Sequence, residues 1–209
     1  LKVACAPVIT VLCGGVGAAR FLRGLVEVVD PADVTAIVNT GDDFMLHGLH
    51  VSPDIDTIRF TLSDDVGEMG WGRSNETWRA MEELEHIATT APAPAGSRAT
   101  RWFSLGDRDL AVHLYRTQRL TEGASLSQAT SELSIAAGIT VRILPMTDDP
   151  VTTWFELAGT RELIDFQEYF VARRHNVSIA DIHFAGITDA KPAPAVLVQI
   201  ERAERVIIG

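Results

Sequence analysis

The sequence predicts an α/β fold in which a mostly parallel, doubly wound sheet carries helical insertions. Short apolar runs that read as buried strands alternate with segments of helical period, the pattern of a parallel sheet wrapped by helices. At several junctions a strand runs into a helix through glycine or acidic residues, where such sheets place their ligands. With 209 residues, 46% hydrophobic and 22% charged, the composition is that of an ordinary globular protein, so one domain over residues 1–209 is expected.

Val8 to Cys13 is the first strand, and Gly17 to Val28 the first helix, with Phe21, Leu22, Leu25 and Val28 on one face. Val34 to Asn39 is a second buried strand. A polar turn follows from Thr40 to Ser52, then helices near Asp54 to Leu62 and Asn75 to His86. Thr89 to Thr100 is rich in Ala, Pro, Gly and Ser and reads as a surface loop. Arg101 to Leu105 reads as a strand, Asp107 to Leu120 as a helix, and Ser125 to Ala137 as another, with a Ser start and a Gly138 stop. Strands are expected at Thr140 to Leu144, Thr152 to Ala158, Ile182 to Ile187 and Arg205 to Ile208. Helices are expected at Phe166 to Arg174 and Ala193 to Ala203. The order is Rossmann-like, with no internal repeat.

A formal charge of −10 argues against a nucleic-acid partner, because affinity for a phosphate backbone needs clustered Lys and Arg. Cys5 and Cys13 have no CxxC spacing, which excludes a common zinc or redox motif and fits a reducing cytoplasm. No apolar run approaches the roughly 20 residues needed to span a bilayer, so no membrane partner is expected. Leu1 to Thr10 lacks the charged and long apolar regions of a signal peptide.

Three junctions carry the chemistry. In Cys13-Gly14-Gly15-Val16-Gly17 a strand enters a helix through glycines, so backbone can approach a phosphate and the helix N-terminus supplies amide donors. It is neither a dinucleotide GxGxxG nor a P-loop, and a tight turn that binds nothing is the plain alternative. Arg20 can reach the same anion or a surface acid. Thr40-Gly41-Asp42-Asp43 and Ser52-Pro53-Asp54-Ile55-Asp56-Thr57 bring four carboxylates toward that crevice, an arrangement that repels phosphate unless a hard cation such as Mg²⁺ intervenes. The plain alternative makes Ser52 an N-cap, Pro53 the first helical residue, and Asp54 and Asp56 ordinary first-turn acids. At Ser104-Leu105-Gly106-Asp107-Arg108-Asp109, Arg108 either grips an anion or bridges Asp107 and Asp109 on a solvated helix start. His47, His50 and His113 share no metal-ligand spacing. Trp71, Trp78 and Trp102 either stack on a heterocycle or fill the core. Pro145 to Asp149 reads as an acidic turn.

Taken together and in this order, these motifs resemble the phospholactate transferase family of coenzyme F-420 biosynthesis. The matching stretches are Gly14-Gly15-Val16-Gly17, Asn39-Thr40-Gly41-Asp42-Asp43, Ser52 to Thr57, Trp71-Gly72, Asn75-Glu76-Thr77, Leu105 to Asp109 with His113, Ile143 to Asp148, and Phe166-Gln167-Glu168. They span nearly the whole chain.

The resemblance implies transfer of a phospholactyl or phosphoenolpyruvyl group from a guanosine diphosphate-linked donor to the ribityl hydroxyl of the deazaflavin Fo, with release of GMP. It implies Mg²⁺ held by Asp42, Asp43 and Asp54, with Asp43 and Asp56 as the catalytic carboxylates and Asp56 orienting or deprotonating the hydroxyl. Asp56 and Arg108 would lie at the acceptor, while Gly14, Gly15, Gly17 and Thr40 would meet the donor. A homodimer is also implied. Family sequences continue past the position of Gly209 with a Pro-Ser-Asn-Pro loop, which marks this chain as truncated at its C-terminus and the guanine-reading residues as lying beyond it. The alternative is a nucleotide-sugar-binding regulator of the gluconeogenesis-factor type. There the second acidic motif runs Pro-Pro-Gly-Asp, where this chain has Ser52-Pro53-Asp54-Ile55-Asp56.

Overall fold

The computed structural model describes residues 8–68, 70–91 and 103–209. Ile9–Cys13 (β1), Val34–Val38 (β2), Arg142–Pro145 (β5) and Arg205–Ile208 (β9) form a parallel sheet in the order β5-β2-β1-β9. Every residue of β2 is buried, as expected of an interior strand covered on both faces. Alternation divides the side chains between the faces. Val11, Ala36 and Ile143 point into one core with Ala18, Ala19 and Leu22 of Gly15–Leu25 (α1), Ile55 and Ile58 of Pro53–Leu62 (α2), and Leu126 of Leu126–Ala136 (α5). On the opposite face Leu12, Ile37 and Leu144 pack against Ala193 and Val196, the latter opening the helix Val196–Arg202 (α6). The sheet is thus covered on both sides, as the doubly wound reading expects. Leu22, Ile55 and Ile58 are fully enclosed, each worth roughly 1.5–3 kcal/mol of transfer free energy.

Helix α5 begins and ends on the expected residues. Ser125 Oγ accepts from the Gln128 amide while Gln128 Oε1 accepts from the Ser125 amide, and Gly138 follows at φ +69. Other boundaries shift. The helix expected from Asn75 is Arg79–Thr90 (α3), because Asn75 to Trp78 run as a loop, and the one expected from Ala193 starts at Val196. Residues 103–105 are not a strand but lead directly into Asp107–Thr121 (α4), while Arg101 and Trp102 lie outside the described residues. Of the loop expected at Thr89 to Thr100, residues 92–100 lie outside them too, and Thr89 and Thr90 close α3. Phe166 to Ala172 is helical as expected, with π-type turns over Glu168–Ala172.

Two antiparallel pieces were not anticipated. Within the polar turn, Phe44–Leu46 (β3) and Leu49–Val51 (β4) form a hairpin. Thr152–Leu157 (β6) pairs with Leu163–Asp165 (β7) and Ile179–Ala185 (β8) in a separate sheet rather than joining the parallel one. Gly186 closes β8 at φ +83, where a Cβ would collide with the backbone carbonyl of Pro150. Gly186→Ala is expected to destabilise the chain by about 2 kcal/mol or more, from the left-handed backbone and from a neighbour that cannot swing away. A denaturation midpoint unchanged from wild type would contradict this.

Candidate active site

A cavity of about 820 Å³ opens at the carboxyl ends of β1 and β2. In that sheet β2 and β9 flank β1 on opposite sides, the arrangement whose crevice binds ligands in open α/β folds. Gly14, Asn39, Asp42 and Gly209 reach it from strand ends and loops, Asp54 from the first turn of α2, and Asp109 and His113 from α4.

The glycine turn is shaped around a carboxylate. Gly15 has φ +68, and its amide donates to Asp54 Oδ1 at 2.8 Å. Gly14 is extended, but a Cβ there would stand 2.5 Å from Asp54 Oδ2. Asn39 Nδ2 donates to the same Oδ2 at 3.0 Å, and the Gly41 amide donates to Asn39 Oδ1 at 3.0 Å. Asp54 therefore caps α1 rather than its own helix. Ser52 makes no side-chain cap either: its hydroxyl donates to Asp43 Oδ2 at 2.7 Å, where His50 Nε2 also lies at 2.9 Å. Pro53 does occupy the first turn of α2.

Burial, with the charges of Asp54 and Asp43 added, pushes the Asp42 carboxyl up to about 7. Burial likewise raises Asp43 against the pull of His50 and Ser52, and Asp54 against that of Asn39 and Gly15. Asp43 Oδ1 is buried without a hydrogen-bond partner. These are carboxylates short of positive charge, the condition a hard dication relieves, although among the described residues the group whose ligand atoms converge within 4.8 Å is Asp56, Asp109 and His113 rather than Asp42, Asp43 and Asp54. Asp42 and Asp54 line the cavity, whereas Asp43 is not among its lining residues.

Asp42 also sets a pH dependence. Its carboxyl holds a proton to about pH 7 when folded, against an ordinary value of 3.8, so the folded chain binds more protons over that interval. The resulting stability is fully present below pH 3.8 and lost as pH rises through about 7. In chelator, Asp42→Asn is expected to remove this decline, and denaturant unfolding across the same pH range checks it.

Asp56 has the opposite environment. Burial alone would raise it, but the Arg116 and Arg59 guanidiniums outweigh burial and hold it below the usual carboxylate range. Its Oδ1 accepts from Arg116 Nη2 at 2.5 Å and Arg59 Nη1 at 3.0 Å, while Oδ2 has no partner. Neither arginine was singled out in the sequence. A signal existed on α4, where Asp109, His113 and Arg116 recur at i, i+4 and i+7 and so share one face.

Other expected residues are dispersed. Arg108 bridges neither Asp107 nor Asp109; its guanidinium donates to Asp65 at 3.1 and 3.0 Å and to the Ser74 carbonyl at 2.8 Å, and it does not line the cavity. Gly17 and Thr40 do not line it either, although Thr40 Oγ1 is buried without a partner. Asp107 accepts from the amides of Arg79 and Ala80, capping α3, while Glu76 accepts from those of Arg108 and Asp109, capping α4. Trp71 and Trp78 line the cavity half-exposed rather than filling the core, as does Phe170, whose ring stacks at 5.8 Å on Phe166, itself partly buried against Phe155, Leu157 and Ile164. Trp102 is outside the described residues. No described helix is long and apolar enough to cross a membrane.

The family model for 2-phospho-L-lactate transferase CofD matches residues 9–209. A phosphoenolpyruvate transferase of Streptomyces coelicolor is 46% identical over 202 residues, covering 95% of this chain and 60% of that protein. A 2-phospho-L-lactate transferase of Methanosarcina mazei is 32% identical over 200 residues, covering 95% and 62%. The crystal structure of a UPF0052 family member from Bacillus halodurans aligns with TM-score 0.61 at 19% identity, over 99% of this chain and 59% of that one, a likeness of fold. The chain thus spans about 60% of the length of the curated relatives it matches.

Proposed function

As the chain belongs to the 2-phospho-L-lactate transferase family, we propose that it forms the catalytic core of an enzyme that moves a phosphate-linked three-carbon acid from a guanosine diphosphate carrier to the ribityl hydroxyl of Fo, releasing GMP. The enolpyruvyl donor is favoured over the lactyl one, because the relatives named for phosphoenolpyruvate reach 46% identity and the phospholactate enzyme 32%. The observation that carries the reading is the pairing, at one cavity, of the Gly14-Gly15 turn with the proton-hungry carboxylates of Asp42 and Asp54.

Mg²⁺ bound by Asp42 and Asp54, with Asp43 behind them, would neutralise the charge of the donor diphosphate. The chain's own residues position the reactants. Gly14 and Gly15 present the N-terminus of α1 to a phosphate oxygen, which would exchange with Asp54 at the Gly15 amide. Asp56 stays ionised, with its free Oδ2 in the cavity wall, and is suited to accept a hydrogen bond from the attacking alcohol and orient it. Its weak basicity favours orientation over proton removal. As the alcohol oxygen bonds to the distal phosphorus and loses its proton to solvent, the bridging P–O bond breaks and GMP leaves with the electron pair. Trp71, Trp78, Phe166 and Phe170 offer flat apolar surface to a heterocycle. The homodimer and a cytoplasmic location belong to the same reading.

Incubation of the full-length protein with Fo, Mg²⁺ and each guanosine diphosphate-linked donor, with products read by mass spectrometry, tests it. The expected product is Fo extended by the phosphoenolpyruvyl group, with one GMP released per transfer. Absence of both products with either donor would refute the proposal.

A further inference from the structure

The wall of the cavity holds three buried polar atoms without hydrogen-bond partners: Asp56 Oδ2, Asp109 Oδ1 and His113 Nε2. One ligating atom from each of these residues lies within 4.8 Å of the others. Such convergence is the usual mark of a missing occupant, since a buried polar group left unpaired costs about 1–3 kcal/mol. Two carboxylates and a histidine also resemble a metal site, so the choice of occupant rests on charge and tautomer.

Both point to a neutral group. Arg116 Nη1 lies 3.1 Å from His113 Nδ1, and a guanidinium can only donate, so Nδ1 must be the acceptor and Nε2 must carry the proton. A protonated Nε2 has no lone pair for a metal. Two guanidiniums, Arg59 and Arg116, already face Asp56, so their two positive charges match the two carboxylates of the cluster. A dication added here would meet a balanced site. His113 Nε2 is 3.1 Å from Asp109 Oδ1 but not aligned with it, which leaves the N–H available to a third party.

We propose that His113 Nε2–H, Asp109 Oδ1 and Asp56 Oδ2 form a cradle for one alcohol hydroxyl, whose oxygen accepts from His113 and whose proton is donated to a carboxylate. Arg116 is its positioning residue, because it fixes the imidazole tautomer. This rests on the transferase reading, in which the acceptor is an alcohol, and extends it to His113 and Asp109 as determinants of hydroxyl recognition.

The test compares binding of Fo with that of an analogue whose terminal ribityl hydroxyl is replaced by hydrogen, in wild type, His113→Asn and Asp109→Asn, with folding checked by circular dichroism. Wild type should prefer the alcohol at least about tenfold, the worth of one hydrogen bond to a charged group, and both variants should lose that preference while still binding the deoxy analogue. A merely structural role would weaken both ligands alike. Retention of the preference in folded variants, or its absence in wild type, overturns the cradle. So does stoichiometric binding of Zn²⁺ or Mn²⁺ that His113→Asn abolishes. Should wild type bind neither compound, the transferase reading fails separately. The cradle is then judged by the imidazole nitrogen spectrum of His113 with ribitol as probe: an Nε2–H tautomer perturbed by ribitol supports it, and an Nδ1–H tautomer or an unperturbed spectrum overturns it.

Discussion

Replacing Asp56 with Asn is expected to lower the free energy of unfolding by about 3–5 kcal/mol, the cost of removing one partner from a buried ion cluster. The Arg59 and Arg116 side chains are only 4% and 0% exposed, and both donate to Asp56 Oδ1. An amide of the same shape keeps one acceptor oxygen but cancels no charge, so two guanidiniums remain buried beside each other. Against a typical domain stability of roughly 5–15 kcal/mol, that loss approaches unfolding at ordinary temperature. An Asn of the same shape is therefore not neutral to the fold. Chemical denaturation decides the point: the midpoint should fall with an unchanged slope, and a difference within about 1 kcal/mol would mean that solvent reaches the arginines.

Chelation is the second large effect. With excess EDTA, GMP release should fall by at least about 10²–10³, the usual worth of one preorganised charge-stabilising contact, and Mg²⁺ should restore it. Asp54→Asn should lose a comparable factor that added Mg²⁺ does not recover, because one of the two cavity-lining carboxylates proposed to hold the cation is gone. Its effect on stability should be modest by comparison, since burial already disfavours its charge. Undiminished turnover in EDTA would exclude a role for the cation.

The parallel sheet was legible because its strands are short, mostly apolar runs, as in Val34 to Val38, set among segments of helical period. The glycine turn and the acids at Asp42 and Asp54 were legible for a similar reason, since residues just after such strands face the crevice. Less was legible in β3, β4 and β7, each only three residues long, too short for an alternating pattern to register. The ion cluster was hidden because Arg116 lies 60 positions from Asp56, and a buried arginine reads in sequence like any surface one. Arg108 shows the converse: its motif suggests a ligand contact, but Asp65, 43 residues away, takes its guanidinium.

Asp54 occupies the amide that a phosphate would use, so an anion cannot simply arrive at Gly15; it must exchange with a resident carboxylate. Once evicted, that carboxylate is free to turn to a cation, and a cation that draws it away vacates the amide. Anion and cation affinities are then thermodynamically linked, each raising the other by the same factor.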